Sequence, residues 1–84
     1  MADTLERLRR IAVDEQGVDA AAFTLEAEFE SFGLDSLDMV ELLISIEEEF
    51  GIEVPDAQFE GWRTVGAAVG GIDELTATTR GAAA

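Results

Sequence analysis

Ser36 is the residue best placed to carry chemistry in this chain. It lies in the run Gly33-Leu34-Asp35-Ser36-Leu37, where a loop meets a strongly helical pattern. Most serines at such a position only cap the helix by accepting a hydrogen bond from a free backbone N–H. Here Asp35 can act as the cap, which leaves the Ser36 hydroxyl exposed for a phosphate ester at the positive end of the helix dipole. We therefore interpret Ser36 as an attachment point for a covalent group.

The residue types of the chain exclude catalysis by Ser36 itself. A nucleophilic serine needs a base, and the sequence has no histidine or lysine to supply one. The G-x-S-x-G pattern of serine hydrolases is absent. A Cys/His metal site cannot form, and an EF-hand loop counted from Asp38 would place Leu43 where glycine is required. The sequence thus predicts no enzyme and no metal site.

The charge of the chain points to basic protein partners. The net charge is -14, from 19 acidic residues against five basic ones, all of them arginine. No basic residue falls between Arg10 and Arg63, a stretch that holds 15 acids. This charge repels nucleic acid and favours basic protein surfaces through electrostatic steering. With no cysteine, no secretory signal and no apolar run long enough to span a membrane, we expect a cytoplasmic protein.

The apolar spacing predicts one all-α domain over residues 1–84, a small antiparallel four-helix bundle with three main helices and one short helix. The first helix runs from about Thr4 to Gln16, capped by Asp3 or Thr4 and ended by Gly17. Its arginines are expected on the solvent side. A long connection follows, over about residues 18–34, with a short helical turn at 20–22. Its phenylalanines are expected to pin it to the core, since loops of this length are uncommon in compact domains.

The second helix is predicted from Ser36 or Leu37 to Phe50. Its apolar residues are too many for one stripe, which predicts contacts on two sides: Leu37, Val40, Leu43 and Ile44 trace one face, and Met39, Leu42 and Ile46 widen it. A short helix follows over residues 56–60, and the last helix begins near Thr64. Its glycines each cost about 1 kcal/mol relative to alanine, so it should be the least stable helix. Residues 76–84 are expected to form a disordered tail.

The sequence around Ser36 resembles the signature of the acyl carrier protein family. The similarity includes Gly33-Leu34 before Asp35-Ser36-Leu37 and Val40-Glu41-Leu42 after it, and it continues through residues 46–56 and 64–65. It extends over nearly the whole chain, from about residue 5 to 75. The resemblance implies that Ser36 carries 4'-phosphopantetheine, transferred from coenzyme A by a holo-carrier synthase, a phosphopantetheinyl transferase. Acyl groups would then be carried on that arm as thioesters.

The resemblance also implies roles for other residues and for partners. Acyl-transfer and synthase enzymes with basic patches would visit a monomeric carrier. The positions implied to dock them are Asp35, Leu37, Asp38, Met39, Glu41, Glu47, Glu48, Glu53 and Asp56. The positions implied to line a cavity for the acyl chain, although ordinary core packing accounts for any one of them, are Leu42, Ile46, Phe59, Trp62, Ala68, Val69 and Ile72.

Several residues depart from the pattern of bacterial fatty-acid carriers. After residues 55–56 those carriers are typically polar and acidic, whereas this chain has Phe59, Gly61 and Trp62. We therefore expect a specialised carrier for fatty-acid, related lipid or secondary-metabolite synthesis. A polyketide or an aminoacyl or peptidyl carrier is an alternative. An unmodified acidic interaction module, in which Ser36 is only a cap, is another.

Overall fold

The structure is a computed structural model that describes residues 3–83, with side chains described over residues 3–77. Within these residues the chain forms four α-helices: α1 (Thr4–Gln16), α2 (Ser36–Phe50), α3 (Asp56–Gly61) and α4 (Val65–Ala83). The predicted helical bundle is therefore confirmed, with α1 packed against both α2 and α4. Asp3 caps α1, and left-handed glycines end α1 and α2 at Gly17 and Gly51.

The long connection between α1 and α2 is held in place by aromatic packing. It contains two short 3₁₀ turns, Ala20–Ala22 and Phe29–Phe32. The rings of Phe23 and Phe32 stack with centroids 5.5 Å apart, and Phe29 meets both rings edge-on. These geometries are the favoured ones for aromatic pairs. The prediction that phenylalanines pin this segment is thus supported by the structure.

The same connection is also bonded through its backbone to the segment that enters α4. The Val65 N–H donates to the Ala27 carbonyl at 2.9 Å, and the Phe29 N–H donates to the Arg63 carbonyl at 3.0 Å. Between these bonds lies one isolated antiparallel bridge, which joins Glu28 to Thr64. The segment that precedes Ser36 is therefore fixed to the bundle at its middle as well as at its ends.

Helix α2 separates its apolar residues into a buried and an exposed set. Leu42 and Ile46 are fully buried in the core, whereas Leu37, Val40 and Ile44 are 65%, 51% and 50% exposed. The sequence pattern predicted contact on two sides of this helix. The structure assigns the core to the Leu42 and Ile46 side and leaves the other side facing solvent.

The arginines of α1 were predicted on the solvent side, but Arg7 and Arg9 bond to other elements of the bundle. Arg7 donates to the Glu49 carboxylate at 3.0 Å and to the Glu49 carbonyl at 2.8 Å, and its guanidinium lies over the Phe50 ring. Arg9 donates to the Phe23 carbonyl at 3.1 Å. Arg7 therefore satisfies a free carbonyl near the end of α2, where a cation also complements the helix dipole.

The glycines of α4 differ in what surrounds them. A Cβ atom at Gly71 would lie 2.5 Å from three atoms of the Trp62 indole, so the ring packs directly on the helix backbone. At Gly66 a Cβ would lie 3.0 Å from the Leu25 carbonyl oxygen, whereas at Gly70 nothing lies within 4 Å. Close packing therefore explains why the helix contains glycine at positions 66 and 71, although glycine lowers helix stability. No such contact explains Gly70.

The structure confirms the predicted cap at the start of α4, whereas the prediction for its C-terminal end is not tested. Thr64 is the predicted cap, and its hydroxyl accepts a hydrogen bond from the Ala67 N–H at 3.1 Å. The helix backbone continues to Ala83. A disordered tail over residues 76–84 stays a prediction, and Ala84 lies outside the described residues. No helix in the described part of the chain has the length and apolarity needed to cross a membrane.

Two neighbouring glycine substitutions should change stability in opposite directions. We expect Gly71→Ala to lower the free energy of unfolding by about 1–3 kcal/mol, because its methyl group would collide with the indole. The matched control Gly70→Ala should raise it by about 1 kcal/mol, since alanine is the better helix former and the space is open. Urea denaturation of both variants measures the difference. Equal effects would contradict the close packing of Trp62 on Gly71.

Candidate functional site

Ser36 is the first residue of α2, and its neighbours satisfy the end of the helix. The Asp35 carboxylate accepts a hydrogen bond from the Asp38 N–H at 2.8 Å, and the Asp38 carboxylate accepts one from the Asp35 N–H at 3.2 Å. This reciprocal pair is a capping box. The predicted cap at Asp35 is confirmed. Gly33, in the left-handed conformation, turns the chain into this cap.

The Ser36 hydroxyl is consequently available for modification. The residue is exposed, and the capping bonds at this helix end use the two aspartates instead of the serine. A primary alcohol at the start of a helix suits a phosphodiester, because nearby backbone N–H groups and the helix dipole favour the negative charge. The residues present therefore fit a phosphate-linked group. The sequence has no histidine or lysine that could activate the alcohol.

A shallow cleft of about 350 Å³ opens beside Ser36, between α2 and α3. Its lining combines apolar side chains with the carboxylates of Asp56 and Glu60. The lining residues are Ser36, Met39, Val40, Leu43, Asp56, Phe59 and Glu60. Four of these stand at i, i+3, i+4 and i+7 from Ser36, so they share one face of α2. That spacing is the signal in the sequence that could have located the cleft.

The residues predicted to line an acyl cavity do not come together at this cleft. Of that set only Phe59 lines it. Leu42, Ile46, Ala68 and Ile72 are fully buried in the core, Trp62 is 8% exposed, and Val69 lines a different cleft, next to Leu5 and Asp73. Their role toward an acyl chain stays a prediction, and their observed role is core packing.

The residues predicted to dock partners differ in their surroundings. Four of the acids already accept hydrogen bonds: Asp35 and Asp38 form the capping box, one Glu47 carboxylate oxygen accepts from the Val54 N–H at 2.9 Å, and the Glu41 carboxylate accepts from the Gln16 side-chain amide at 3.5 Å. Met39 is half-buried in the cleft. The exposed positions of the predicted set include Leu37, Glu41, Glu48, Glu53 and Asp56. These docking roles stay predictions.

No group of three or more carboxylates converges into a metal site within the part of the chain that the structure describes. The acids are instead spread over helices and loops. The electrostatic character of the site therefore comes from an extended negative field, which acts on charged partners before contact.

Comparison with known proteins identifies the family. Residues 6–72 match the model of a family described as a phosphopantetheine attachment site. The chain belongs to this family. A crystal structure of an acyl carrier protein from Thermotoga maritima has the same fold, with a TM-score of 0.77 and 23% sequence identity over 87% of this chain and 86% of that one.

Membership of this family establishes the kind of chemistry. The protein is a carrier and not an enzyme, and its cofactor is 4'-phosphopantetheine. When attached, this group supplies a thiol, which the chain lacks because it contains no cysteine. A carrier of this kind interacts with a transferase that attaches the arm and with synthases that use it.

The capping arrangement predicts that two adjacent substitutions differ in cost. Asp35→Ala should lower the free energy of unfolding by about 0.5–2 kcal/mol, because it removes the helix cap. Ser36→Ala should change it by no more than about 0.5 kcal/mol, as expected for an exposed residue outside the cap. Chemical denaturation of the two variants gives both values. A larger loss for Ser36→Ala would mean that the serine, not the aspartate, holds the helix end.

Proposed function

We propose that this protein is an acyl carrier that bears its 4'-phosphopantetheine arm on Ser36. One observation carries the proposal: within a chain that matches a phosphopantetheine attachment site, Ser36 is an exposed serine at a helix start already capped by Asp35. The hydroxyl is thus accessible to a transferase, and its modification leaves the capping bonds intact. Acyl groups would be held as thioesters on the arm and presented to successive enzymes.

The cargo we propose is an acyl group of fatty-acid, related lipid or secondary-metabolite synthesis. The acidic surface of α2 supports an acyl carrier over an aminoacyl or peptidyl carrier. The apolar residues Met39, Val40 and Leu43 in the lining of the cleft support a hydrocarbon cargo. The aromatic pair Phe59 and Trp62 supports a specialised role instead of general fatty-acid synthesis. A cytoplasmic location stays a prediction.

Partner enzymes would dock on the exposed side of α2. We define the α2 docking face as the apolar residues Leu37, Val40 and Ile44 together with the flanking acids Glu41 and Glu48. An apolar centre with a charged rim is the usual composition of a protein interface. Basic residues on the partner would meet the acids, which speeds association more than it strengthens the final complex. Asp35, Asp38, Glu47, Glu53 and Asp56 would extend the same negative field.

The attachment at Ser36 can be tested directly by mass spectrometry. The wild-type protein should gain the mass of one phosphopantetheine group when incubated with coenzyme A, Mg²⁺ and a promiscuous phosphopantetheinyl transferase. The matched control Ser36→Ala should gain none, although it folds normally. No gain in the wild type, or a gain that survives in Ser36→Ala, would refute the proposal. Loading with acyl and with aminoacyl groups then separates the cargo classes.

The docking face predicts an electrostatic effect on the rate of arm transfer. Glu48→Arg should slow the transfer severalfold at low salt, because it places a positive charge in the path of a basic partner. High salt should remove most of the difference, since exposed charges are screened. The control Glu74→Arg makes the same charge change on the exposed surface of α4 and should have a much smaller effect. Equal slowing by both variants would show that only net charge matters.

A further inference from the structure

Leu25 is an exposed apolar residue that the docking face on α2 does not include. In the described part of the chain, the exposed large apolar side chains are those of Leu25, which is 47% exposed, and of three residues of α2. The backbone at Leu25 is fixed, because its carbonyl accepts a hydrogen bond from the Gly66 N–H at 2.9 Å. A single exposed leucine needs no explanation, but this one forms part of a cleft.

This second cleft lies between α1 and α4 and has a volume of about 480 Å³. That volume is within the range of ligand pockets in proteins, about 300–1,000 Å³. Its apolar lining comes from Leu25, which is exposed, and from Leu5 and Val69, which are half-buried. Its polar lining consists of Asp3, Thr4, Arg7 and Asp73.

The two carboxylates of the second cleft are held in place by hydrogen bonds. One oxygen of the Asp3 carboxylate accepts from the Glu6 N–H at 2.8 Å, and one oxygen of the Asp73 carboxylate accepts from the Thr4 hydroxyl. Among the hydrogen bonds of the described residues, none uses the second oxygen of either group. Oriented carboxylates with an unused acceptor oxygen suit a cationic side chain.

The arginine in the lining does not reverse this preference for a cation. Arg7 is paired with the Glu49 carboxylate at 3.0 Å, and its guanidinium lies 4.3 Å from the centre of the Phe50 ring. The second cleft therefore keeps a negative charge, in a chain whose net charge is -14. An anionic ligand or a second copy of this chain is repelled, whereas a cationic segment is attracted.

Arg7 also locates the second cleft at the end of the bundle away from Ser36. Its bonds to Glu49 put it beside the C-terminal end of α2, whereas Ser36 is the first residue of that helix. A helix of 15 residues is about 20 Å long, at roughly 1.5 Å per residue. Among the described residues that line the second cleft, none belongs to α2. A segment bound there therefore leaves Ser36 accessible.

We propose that the cleft between α1 and α4 binds a short segment of a partner protein in which a large aliphatic side chain stands next to an arginine or lysine. The aliphatic side chain packs against Leu5, Leu25 and Val69, and the cation meets the carboxylates of Asp3 and Asp73. Such a partner holds the carrier while other enzymes visit Ser36. The inference goes beyond the proposed attachment and does not depend on it, since the serine takes no part in the binding.

A peptide titration followed by ¹⁵N NMR tests the site on the unmodified full chain. The probe is a short peptide that alternates leucine and arginine, used at physiological salt so that diffuse attraction to the acidic surface is screened. We expect saturable shifts of the amide resonances of Thr4, Leu25 and Val69. Peptides with serine in place of leucine, or glutamate in place of arginine, should bind severalfold more weakly. Shifts that do not saturate, or that are confined to α2, would overturn the proposal.

Two matched pairs of variants test the residues of the site. Leu25→Ser should weaken peptide binding severalfold, whereas Leu37→Ser, which removes an exposed leucine of α2, should not change it. Asp73→Asn should also weaken binding, because it removes a charge and keeps an oxygen for the Thr4 hydroxyl. Glu74→Gln removes a charge from the next residue, which is also exposed, and should have little effect. Equal effects within either pair of folded variants would refute the site.

The second copy of the chain is the other occupant to test. Analytical ultracentrifugation of the wild type without peptide should show a monomer, because two chains of this charge repel each other. A dimer that Leu25→Ser dissociates would overturn the proposal and assign the cleft to self-association.

A final measurement separates this inference from the attachment at Ser36. Saturating peptide should affect the rate of arm transfer equally in the wild type and in Leu25→Ser, since the second cleft is remote from the serine. Slowing of the wild type alone would contradict that independence. A wild type that binds the peptide but gains no phosphopantetheine would overturn only the attachment, whereas a normal gain without peptide binding would overturn only this inference.

Discussion

The close packing of Trp62 on the backbone of α4 constrains the rest of this small bundle. The chain has no cysteine, so its cohesion comes from packing, and the indole contact at Gly71 tolerates not even a methyl group. Removing a buried tryptophan typically costs about 3–5 kcal/mol. The contact therefore contributes substantially to the stability of the fold.

The charge of the molecule opposes its compactness but suits a carrier. Fifteen acids without an intervening basic residue repel one another in the folded state. Arg7 and Arg9 offset part of this by joining α1 to the end of α2 and to the Phe23 carbonyl. The remaining acids give the surface an extended negative field. A protein that must be visited by several partners in turn benefits from fast association more than from tight binding.

At the start of α2, the residues that cap the helix are different from the serine whose hydroxyl is exposed. Asp35 and Asp38 complete the helix end, so the serine has no structural duty there. The chain has no histidine or lysine to activate the hydroxyl, and it belongs to a family described as a phosphopantetheine attachment site. The apolar residues Leu37, Val40 and Ile44 of α2 are exposed, and the docking face is our proposal for them. Glu47 shows that an acid in such a region can also have a structural role, because it accepts a bond from the Val54 N–H.

The sequence by itself determined the bounds of α1 and α2, the cap at Asp35 and the absence of catalytic and Cys/His chemistry, because caps, glycine stops and residue types are local properties. It also pointed to the carrier family through the residues around Ser36. The tertiary structure alone decided which apolar stripe of α2 is buried, since Leu42 and Leu37 are equally apolar in the sequence. It likewise decided the bonds of Arg7, 42 residues from its partner Glu49, and the contact of Trp62 with Gly71. Such contacts join residues on different elements, so they exist only once the helices have packed.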